Sequence, residues 1–411
     1  MHSRPVIGVV FGTRPEAIKL APVIFELRRS ANFELLLIST AQHRQMLDQV
    51  LDIFGIMPDL DLDLMTRNQT LGGLTCRVLQ SMDELLQQRP LDCLIVQGDT
   101  TTAFAAAVAA FYRKVPVAHI EAGLRTGDLL NPYPEEANRK LVSALARLHF
   151  APTPLARANL LEAGADAGQI AVTGNTVVDA LQVLVERGAA DHPLPPGIPN
   201  DGRRLVLLTS HRRESWGEDL ENICRAVADL VAAFEDIRVV YPVHMNPNVR
   251  RTVGALLEDI DRVHLTAPLD YFQFLSLLRR SHLVLTDSGG VQEEAPSFGK
   301  PVLVLRKVTE RPEAALRGLS VIVGTSRERI VNEASRLLSC EAAFRAMSNA
   351  ENPYGDGRAS ARIAESLARW WHGELPLLPP ELEFAGTGEL EPAMPNAGRA
   401  GFSDELERVA A

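Results

Sequence analysis

The sequence predicts an α/β fold of two Rossmann-like, doubly wound parallel sheets, one in each half of the chain. Short unbroken apolar runs alternate with helical patterns, which is typical of parallel strands buried on both faces. The alternation stops at residues 187–204, a segment dense in Pro, Gly and Asp, and then begins again. A chain of 411 residues is also too long for one ordinary core, so two domains are expected.

In the first half, the apolar run at residues 6–11 precedes a helical pattern that starts at about Glu16. We place this domain at residues 1–178, joined by a C-terminal helix at about 360–372. Its other predicted strands are "FELLLIST", "LDCLIVQGD", "VPVAHIEAGL", "LHFAPT" and "QIAVTGN", and its other predicted helices are "HRQMLDQVLDIFG", "TTTAFAAAVAAFYRK" and "PEEANRKLVSALARL".

The second half repeats the alternation, which places a second Rossmann-like domain at residues 179–359. Its predicted strands, each followed by a helical pattern, are "RLVLLTSH", "IRVVYPVH", "RVHLTAP", "HLVLTDSGG" and "KPVLVLR". Residues 373–411 are rich in Pro, Gly and Glu, and this composition predicts a disordered tail.

Charge and cysteine content argue against several classes of protein. The formal net charge of −10 argues against a general nucleic-acid surface. The four cysteines are scattered and have neither disulfide nor metal-ligand spacing. The sequence has no signal-peptide pattern and no apolar run long enough to span a bilayer. We therefore expect a cytoplasmic protein without a metal, a nucleic-acid partner or a membrane.

Polar and charged residues collect where the predicted strands end. In open parallel sheets, ligands bind beyond the carboxyl ends of the strands, so two such edges facing each other form a cleft. The residues at these ends are Arg14, Lys19, Gln42, His43, Asp99, His119, Glu121, Arg125, Ser210, His211, Arg212, Arg213, His244, Ser288, Gly289, Gly290, Glu293 and Glu294.

The first strand-to-helix turn, "VVFGTRPEAIKLAP", contains one glycine and two cations. A redox dinucleotide turn usually carries G-x-G-x-x-G, so this turn argues against a nicotinamide or flavin cofactor. Arg14 and Lys19 instead supply positive charge for a ligand. The alternative is that Arg14 caps a neighbouring helix and Lys19 lies on a solvated face.

The segment "TDSGGVQEEAP" gives a stronger phosphate signal. Ser288, Gly289 and Gly290 lie between a strand and a helix start, where free N–H groups and about half a positive charge face an anion. An ordinary helix cap with a glycine turn is the alternative. The two acids that follow, Glu293 and Glu294, favour a ligand site, because acids beside an anion are costly unless sugar hydroxyls donate to them.

Several carboxylates lie at the same predicted rim. Asp99 and Glu121 each end an apolar strand, where an unpaired charge is expensive, and Glu135 and Glu136 open a helix behind two prolines. Pairing with the helix dipole explains one of the latter two, and capping through the threonines after Asp99 is an alternative for that residue. Together with His211, these acids predict proton transfer on a neutral, polyhydroxylated substrate.

Seven segments resemble, in order, the signature segments of the non-hydrolysing UDP-N-acetylglucosamine 2-epimerases. They are "FGTRPEAIKLAP", "GDTTTAFAAAVAAFY", "HIEAGLRTGDLLNPYPEEANR", "VTGNTVVDAL", "TSHRRESWG", "TDSGGVQEEAPSFGKPVLVLR" and "TERPEA". The resemblance runs from about residue 6 to 370. Many members have His where this chain has Gln97, and a hydroxyl residue where it has Ala103. Neither difference removes an expected acid.

The resemblance implies a fold like that of GT-B glycosyltransferases, a nucleotide sugar in the cleft, no cofactor and a homodimer. UDP-phosphate contacts are implied for Arg14, Ser288, Gly289 and Gly290, with His211 and Arg311 nearby. Glu294 is matched to the ribose and Phe274 to the uracil. The residues implied around the sugar are Lys19, Asp99, Glu121, Glu135, Arg139 and His211. The positions matching a second, activating UDP-GlcNAc are Gln42, His43, Gln45, Arg67, Arg212 and His244.

The implied reaction interconverts UDP-GlcNAc and UDP-ManNAc at carbon 2 by elimination and re-addition of UDP through a glycal. Two proton-transfer groups on opposite faces are needed, and Asp99, Glu121 and Glu135 are the candidates. A GT-B glycosyltransferase and a catalytically silent nucleotide-sugar binder are the rival interpretations. The glycosyltransferase needs an acceptor site and only one base, and the binder is expected to have lost acids.

Overall fold

The computed structural model describes residues 4–41, 44–66, 69–210, 216–349 and 351–386, apart from the side chains of Arg44, Gln45 and Ala190. Within these ranges the strands form one parallel sheet of seven strands and one of six, with helices between successive strands. The predicted fold class of two doubly wound parallel sheets is confirmed.

The first sheet has the strand order β3-β2-β1-β4-β5-β6-β7. Its strands are β1 (Val6–Phe11), β2 (Glu34–Ser39), β3 (Leu60–Asp61), β4 (Cys93–Gln97), β5 (Val117–Ile120), β6 (Leu148–Ala151) and β7 (Ile170–Val172). Its helices are α1 (Arg14–Ser30), α2 (Arg44–Phe54), α3 (Leu71–Gln88), α4 (Thr101–Tyr112), α5 (Glu135–Leu145), α6 (Pro154–Glu162) and α7 (Thr176–Glu186). Apolar residues of α1, α2 and α7 pack on one face, and those of α3, α4 and α5 on the other.

The second sheet has the order β10-β9-β8-β11-β12-β13. Its strands are β8 (Arg204–Thr209), β9 (Ile237–Pro242), β10 (Val263–Thr266), β11 (Ser281–Thr286), β12 (Val302–Val304) and β13 (Ser320–Ile322). The remaining helices are α8 (Glu218–Ala233), α9 (Pro247–Leu257), α10 (Tyr271–Arg280), α11 (Gly289–Glu294), α12 (Glu313–Leu316), α13 (Arg327–Ser339), α14 (Glu341–Ser348) and α15 (Ala359–Trp371).

In each sheet, the order in which successive strands are added reverses beside the strand that comes first in the chain. β2 and β4 flank β1 on opposite sides, and β9 and β11 flank β8 in the same way. Ligands of open parallel sheets bind beyond the carboxyl ends of the strands at such a switch point. Arg14 and Asp99 follow β1 and β4, and Ser210 and Ser288 follow β8 and β11, so predicted site residues lie at both switch points.

The turn after β1 is held by an acid that the sequence analysis used only to mark a helix start. α1 begins at Arg14, two residues before the predicted position. The buried carboxylate of Glu16 accepts the backbone N–H groups of Gly12 (2.9 Å) and Thr13 (2.7 Å), and it also accepts the Thr100 hydroxyl (2.5 Å). Glu16 therefore fixes the entry to α1 and ties it to the segment after β4.

The last helix returns to the first sheet. α15 lies where the sequence predicts a helix at about 360–372, and it packs against α1 and α7. The predicted boundary between residues 178 and 179 falls within α7, and it stays a prediction.

Part of residues 373–386 packs against the first domain, and the predicted disordered tail stays a prediction. Leu377, Leu378 and Phe384 are buried. Glu383 accepts Arg157 Nη1 (2.8 Å) and the backbone N–H of Val172 (3.1 Å). These contacts hold the buried part of the segment against the first domain. Residues 387–411 lie outside the described ranges.

Among the helices that are described, none is both long and apolar enough to cross a membrane.

Candidate active site

The two halves meet through side chains that the sequence analysis assigned to the site. Lys19 and Glu121, from the first half, contact Glu293 and Arg311 from the second. Thr153 in the first half donates its hydroxyl to Glu313 in the second (2.6 Å). Cations and carboxylates from both predicted sheet edges therefore come together here, and they are paired with each other.

Lys19, Glu121, Glu293 and Arg311 form what we call the central ion cluster. Lys19 Nζ lies 2.6 Å from Glu121 Oε1 and 2.9 Å from Glu293 Oε2. Arg311 donates Nη2 to Glu121 Oε1 (3.1 Å) and Nε to Glu293 Oε1 (2.5 Å). All four side chains are buried, so Lys19 does not lie on a solvated face and that alternative is wrong.

The two carboxyls of the cluster differ in their pKa. Burial acts to raise the pKa of Glu121, but the charges of Lys19 and Arg311 outweigh it and lower the pKa below its usual range. Burial raises the pKa of Glu293, and the same two cations only partly oppose it. Glu121 is therefore the ionised partner, and Glu293 is the carboxyl that accepts a proton first.

Glu121 is fixed by its backbone and by neutral donors. It directly follows β5 with φ of +63°, a left-handed conformation that is uncommon for a residue with a side chain. Gln97 donates its amide to Glu121 Oε2, and Asn175 donates its amide to Glu121 Oε1 (3.3 Å). The local chain thus directs this carboxylate into the contact between the halves.

Asp99 is held by α5 and does not cap α4. Thr100 is the N-cap, and its hydroxyl accepts the N–H of Ala103 (3.0 Å), so the capping alternative for Asp99 is wrong. Arg139 donates Nε to Asp99 Oδ2 (2.8 Å). The Asp99 side chain is 25% exposed, against 3% for Arg139, so Asp99 is the reachable member of this pair.

Glu135 and Glu136 open α5, and their surroundings separate them. The buried Glu136 carboxylate accepts the backbone N–H groups of Thr126 (3.1 Å) and Gly127 (3.2 Å), and Arg139 Nη1 (2.7 Å). Glu136 therefore has a structural role in closing this loop. Glu135 is half-buried beside it, and its assignment to the sugar stays a prediction.

The glycines after β11 serve different purposes. Ser288 is the N-cap of α11, and its N–H donates to Thr286 Oγ1 (3.0 Å). A Cβ at Gly289 would lie 2.5 Å from Arg311 Nη1 and 2.8 Å from its Cζ, whereas a Cβ at Gly290 has only Ser288 Oγ nearby, at 3.9 Å. Gly289 is therefore needed so that the Arg311 guanidinium can lie against the turn.

A second group, which we call the Tyr271 group, consists of Arg14, Tyr271, Phe274 and Glu294. The Tyr271 hydroxyl donates to Glu294 Oε1 (2.7 Å), and the Tyr271 and Phe274 rings are parallel within 8°, with centroids 6.4 Å apart. Burial raises the pKa of Glu294 to about 7, and the positive charge of Arg14 acts weakly against that rise. Half-buried Arg14 makes no hydrogen bond or ion pair with another described residue, so nothing there supports a capping role.

Several predicted site residues fall in parts of the chain that the structure does not describe. His211, Gln42, His43, Arg67 and Arg212 lie outside the described ranges, and so does the side chain of Gln45. His244 is exposed, and its Nδ1 accepts the N–H of Asn246 (3.2 Å). The activator assignment is therefore untested.

Sequence reasoning missed residues whose partners come from the other half. Glu310 lies 3.7 Å from Arg139 Nη2, and Glu313 accepts from Thr153. Asn175 reaches Glu121 and Glu293 together. The Asn before the α7 pattern signals only a helix cap, and no local signal shows a contact across the halves. Glu16 could have been found, since Thr13 and Glu16 have capping-box spacing.

Two doubly wound parallel sheets that meet at their switch points place the chain in the GT-B-like class of folds. A solved glycosyltransferase of kitacinnamycin shares this fold alone, at 13% identity and a TM-score of 0.60 over 92% of this chain and all of that one.

Within this class, the UDP-N-acetylglucosamine 2-epimerase profile matches residues 25–368. The Escherichia coli K12 enzyme of that name is 50% identical over 87% of this chain and 97% of its own. The Bacillus subtilis enzyme is 51% identical over 88% and 94%. A Neisseria meningitidis UDP-GlcNAc 2-epimerase structure, bound to UDP-GlcNAc, has 46% identity and a TM-score of 0.84 over 89% of this chain and 100% of its own. The chain belongs to the UDP-N-acetylglucosamine 2-epimerase family, which confirms the resemblance and the prediction of an enzyme.

Proposed function

We propose that this chain interconverts UDP-GlcNAc and UDP-ManNAc by eliminating UDP and adding it back through a glycal. The observation that carries the proposal is the pair of carboxylates, Asp99 and Glu121, that follow the neighbouring strands β4 and β5. Glu121 contacts the Arg311 guanidinium, which lies against the turn at Gly289. The related Neisseria meningitidis enzyme with bound UDP-GlcNAc supports the choice of substrate.

The proposed nucleotide site uses the cations and the turn. Arg14, Arg311 and the Ser288–Gly290 turn bind the UDP phosphates, with His211 nearby, because charge-assisted donors and a helix start favour anions. Glu294 binds the ribose hydroxyls and Phe274 lies beside the uracil. The parallel Tyr271 and Phe274 rings give this end of the site an apolar wall.

The proposed chemistry begins with loss of UDP. The hydrogen on carbon 2 is not next to a carbonyl, so a base alone removes it poorly. When the bond from carbon 1 to UDP oxygen breaks, UDP leaves with the electron pair, the proton passes to a carboxylate, and a double bond forms between carbons 1 and 2. The phosphate contacts stabilise the charge on departing UDP. A second group then protonates carbon 2 from the opposite face, and UDP oxygen bonds again to carbon 1.

Asp99, Glu121 and Glu135 are the proposed proton carriers, with Lys19, Arg139 and His211 around the sugar. Each proton transfer contributes roughly 10²–10⁴-fold in rate. Glu121 is ionised beside its cations, which is the form a base needs. Because Lys19 and Arg311 also serve the substrate in this proposal, substrate binding frees Glu121 from part of its ion pairing.

The proposal also includes a regulatory site and an assembly. A second UDP-GlcNAc binds as activator at Gln42, His43, Gln45, Arg67, Arg212 and His244, and the chain forms a homodimer in the cytoplasm. The family resemblance supports these points.

The test is incubation of the purified protein with UDP-GlcNAc alone in deuterated water. We expect UDP-ManNAc with deuterium at carbon 2, because an exchangeable carboxylate delivers the new hydrogen. If no UDP-ManNAc forms without an acceptor, the epimerase proposal is wrong. If the product keeps its original hydrogen, the carboxylate mechanism is wrong while the overall reaction stands.

A further inference from the structure

Asn175 lies where the two halves and the central ion cluster come together. It is the N-cap of α7, and its side-chain oxygen accepts the N–H of Val177 (3.0 Å). Its backbone N–H donates to Tyr354 O (2.7 Å), in the segment leading to α15. Its amide nitrogen donates to Glu293 Oε1 (3.0 Å) and Glu121 Oε1 (3.3 Å). The residue is 2% exposed.

We propose that Asn175 is a positioning residue that holds the carboxylates of Glu121 and Glu293 in a fixed relation across the cleft. The inference rests on the proposed function, because Glu121 is a proton carrier only in that reaction. Asn175 itself does not touch the reacting atoms in this proposal. It acts through the orientation of Glu121.

The helix cap determines which end of the amide faces the acids. If the amide were turned round, its NH₂ group would face the N–H of Val177 and its oxygen would face two carboxylates. Both contacts are repulsive, so only one orientation is stable. The two N–H bonds are then aimed at one carboxyl group from each half.

Asn175 differs from the other donors to these acids because the substrate does not compete for its amide in the proposed reaction. Lys19 and Arg311 also contact Glu121 and Glu293, and both cations serve the nucleotide sugar in the proposed reaction. When the substrate binds Lys19 and Arg311, Glu121 and Glu293 lose part of their charge-assisted hydrogen bonding. The Asn175 amide stays anchored through Val177 and Tyr354, so it keeps Glu121 oriented during that exchange.

Two substitutions separate the amide from the cap. Asn175→Ser and Asn175→Asp both keep an oxygen that can cap α7, so the fold is expected to survive. The serine lacks the NH₂ donor. The aspartate replaces it with a third carboxylate facing Glu121, Glu293, Lys19 and Arg311.

In steady-state kinetics with UDP-GlcNAc, Asn175→Ser is expected to lower kcat by about 10-fold or more, since a hydrogen bond to a charged group corresponds to roughly 10–150-fold. KM should change by less than about threefold, because the amide does not contact substrate.

Asn175→Asp should lose more kcat at about pH 8 than at about pH 6, because the added carboxyl is protonated, and can donate a hydrogen bond, only at the lower pH. Parental kcat in Asn175→Ser, or a parallel pH profile in Asn175→Asp, overturns the proposal.

Unfolding measurements test whether Asn175 contacts Glu121 and Glu293, and they do not depend on the enzyme being active. Asn246 is the N-cap of α9 and accepts the N–H of Asn248 (2.9 Å), with no carboxylate partner among the residues described, so Asn246→Asp is the matched control. Lys19 and Arg311 are already paired with Glu121 and Glu293, so burial and the two acids should raise the pKa of the added carboxyl. Its contribution to stability is then present at low pH and lost as pH rises. The free energy of unfolding of Asn175→Asp should fall more steeply with rising pH than that of the parent or of Asn246→Asp.

Equal slopes in the two aspartate variants contradict the contact with Glu121 and Glu293, whatever the reaction. A parent that makes no UDP-ManNAc while Asn175→Asp shows the steeper slope contradicts the proposed function and leaves the carboxylate contact of Asn175 standing.

Discussion

The central ion cluster and the Tyr271 group lie in one site but are prepared in opposite ways. In the cluster, Lys19 and Arg311 are each paired with Glu121 and Glu293, and all four side chains are buried. In the Tyr271 group, Arg14 makes no ion pair with another described residue, and the pKa of Glu294 is raised to about 7. The cations of the cluster are already paired with carboxylates, whereas Arg14 of the Tyr271 group has no ion pair within the described ranges and can bind an anionic ligand.

In the proposed reaction, this difference predicts that the Tyr271 group acts in UDP binding and the cluster in proton transfer. Half-buried Arg14 has no ion-pair partner in the part of the chain that the structure describes, so it can bind an anion without losing one there. The cluster must exchange partners, and leaving a charge buried alone typically costs about 3–5 kcal/mol. We therefore expect changes beside the cluster to act on turnover, and changes in the Tyr271 group to act on UDP binding and on pH dependence.

The largest expected effect is on turnover, from Asp99→Asn. Asparagine still offers an oxygen to Arg139 Nε, so folding and UDP binding should be kept, while kcat falls by at least about 10²-fold. Steady-state kinetics, with calorimetry of UDP binding, measure both effects.

The matched control for this variant is Asp83→Asn. Asp83 forms a surface pair with Arg113 through two short hydrogen bonds (2.5 and 2.7 Å). An exposed pair contributes little, so kcat should equal that of the parent. Near-parental turnover in Asp99→Asn means that Asp99 neither moves a proton nor holds the group that does.

The next effect is on UDP affinity. Arg14→Ala is expected to weaken UDP binding by roughly 10–150-fold, the value of one charge-assisted contact. Its stability should change little because no described partner is lost. Lys19→Ala should instead lower kcat more than it weakens UDP binding. Calorimetry with UDP, beside the kinetics of both variants, measures the contrast.

Arg28→Ala is the control, since Arg28 is exposed on the same helix, α1. UDP binding as tight in Arg14→Ala as in this control shows that the first turn does not hold the phosphates. Equal losses of UDP affinity in Arg14→Ala and Lys19→Ala remove the contrast between the two groups.

The smallest effect is on the pH dependence of stability. The pKa of Glu294 is about 7 in the fold against an ordinary 4.5. The folded state therefore holds an extra proton between these values, and the free energy of unfolding falls as pH rises through this window. The slope is at most about 1.4 kcal/mol per pH unit for one proton.

Glu294→Gln cannot titrate, so its unfolding free energy should change less with pH between about 4.5 and 7 than that of the parent. Denaturant unfolding at a series of pH values measures the two slopes. Identical slopes place the titration of Glu294 at its ordinary pKa and contradict the contrast with the ionised Glu121.

The sequence alone predicts the positions of the site but not its pairing. Asp99, Glu121 and Ser288 follow from the rule for the carboxyl ends of strands, because strand and helix patterns are local. The contacts of Arg311 with Glu121, and of Asn175 with Glu293, depend on how two separate sheets are set against each other, and no local pattern records that. Gly289 looks like part of an anion turn, yet its missing Cβ makes room for Arg311. The acids after this turn favour sugar hydroxyls as their donors in the sequence, yet Glu293 pairs with Lys19 and Arg311.

The segment after α15 has a consequence for the outer strand of the first sheet. β7 is an edge, and the backbone N–H and C=O of Val172 are both taken, by Glu383 Oε1 (3.1 Å) and the N–H of Phe384 (2.8 Å). Unpaired edges are templates for pairing with other chains, and proteins often cover them. This segment begins beyond the last residue matched by the family profile, residue 368. The chain thus carries, outside the matched region, its own protection against edge-to-edge self-association.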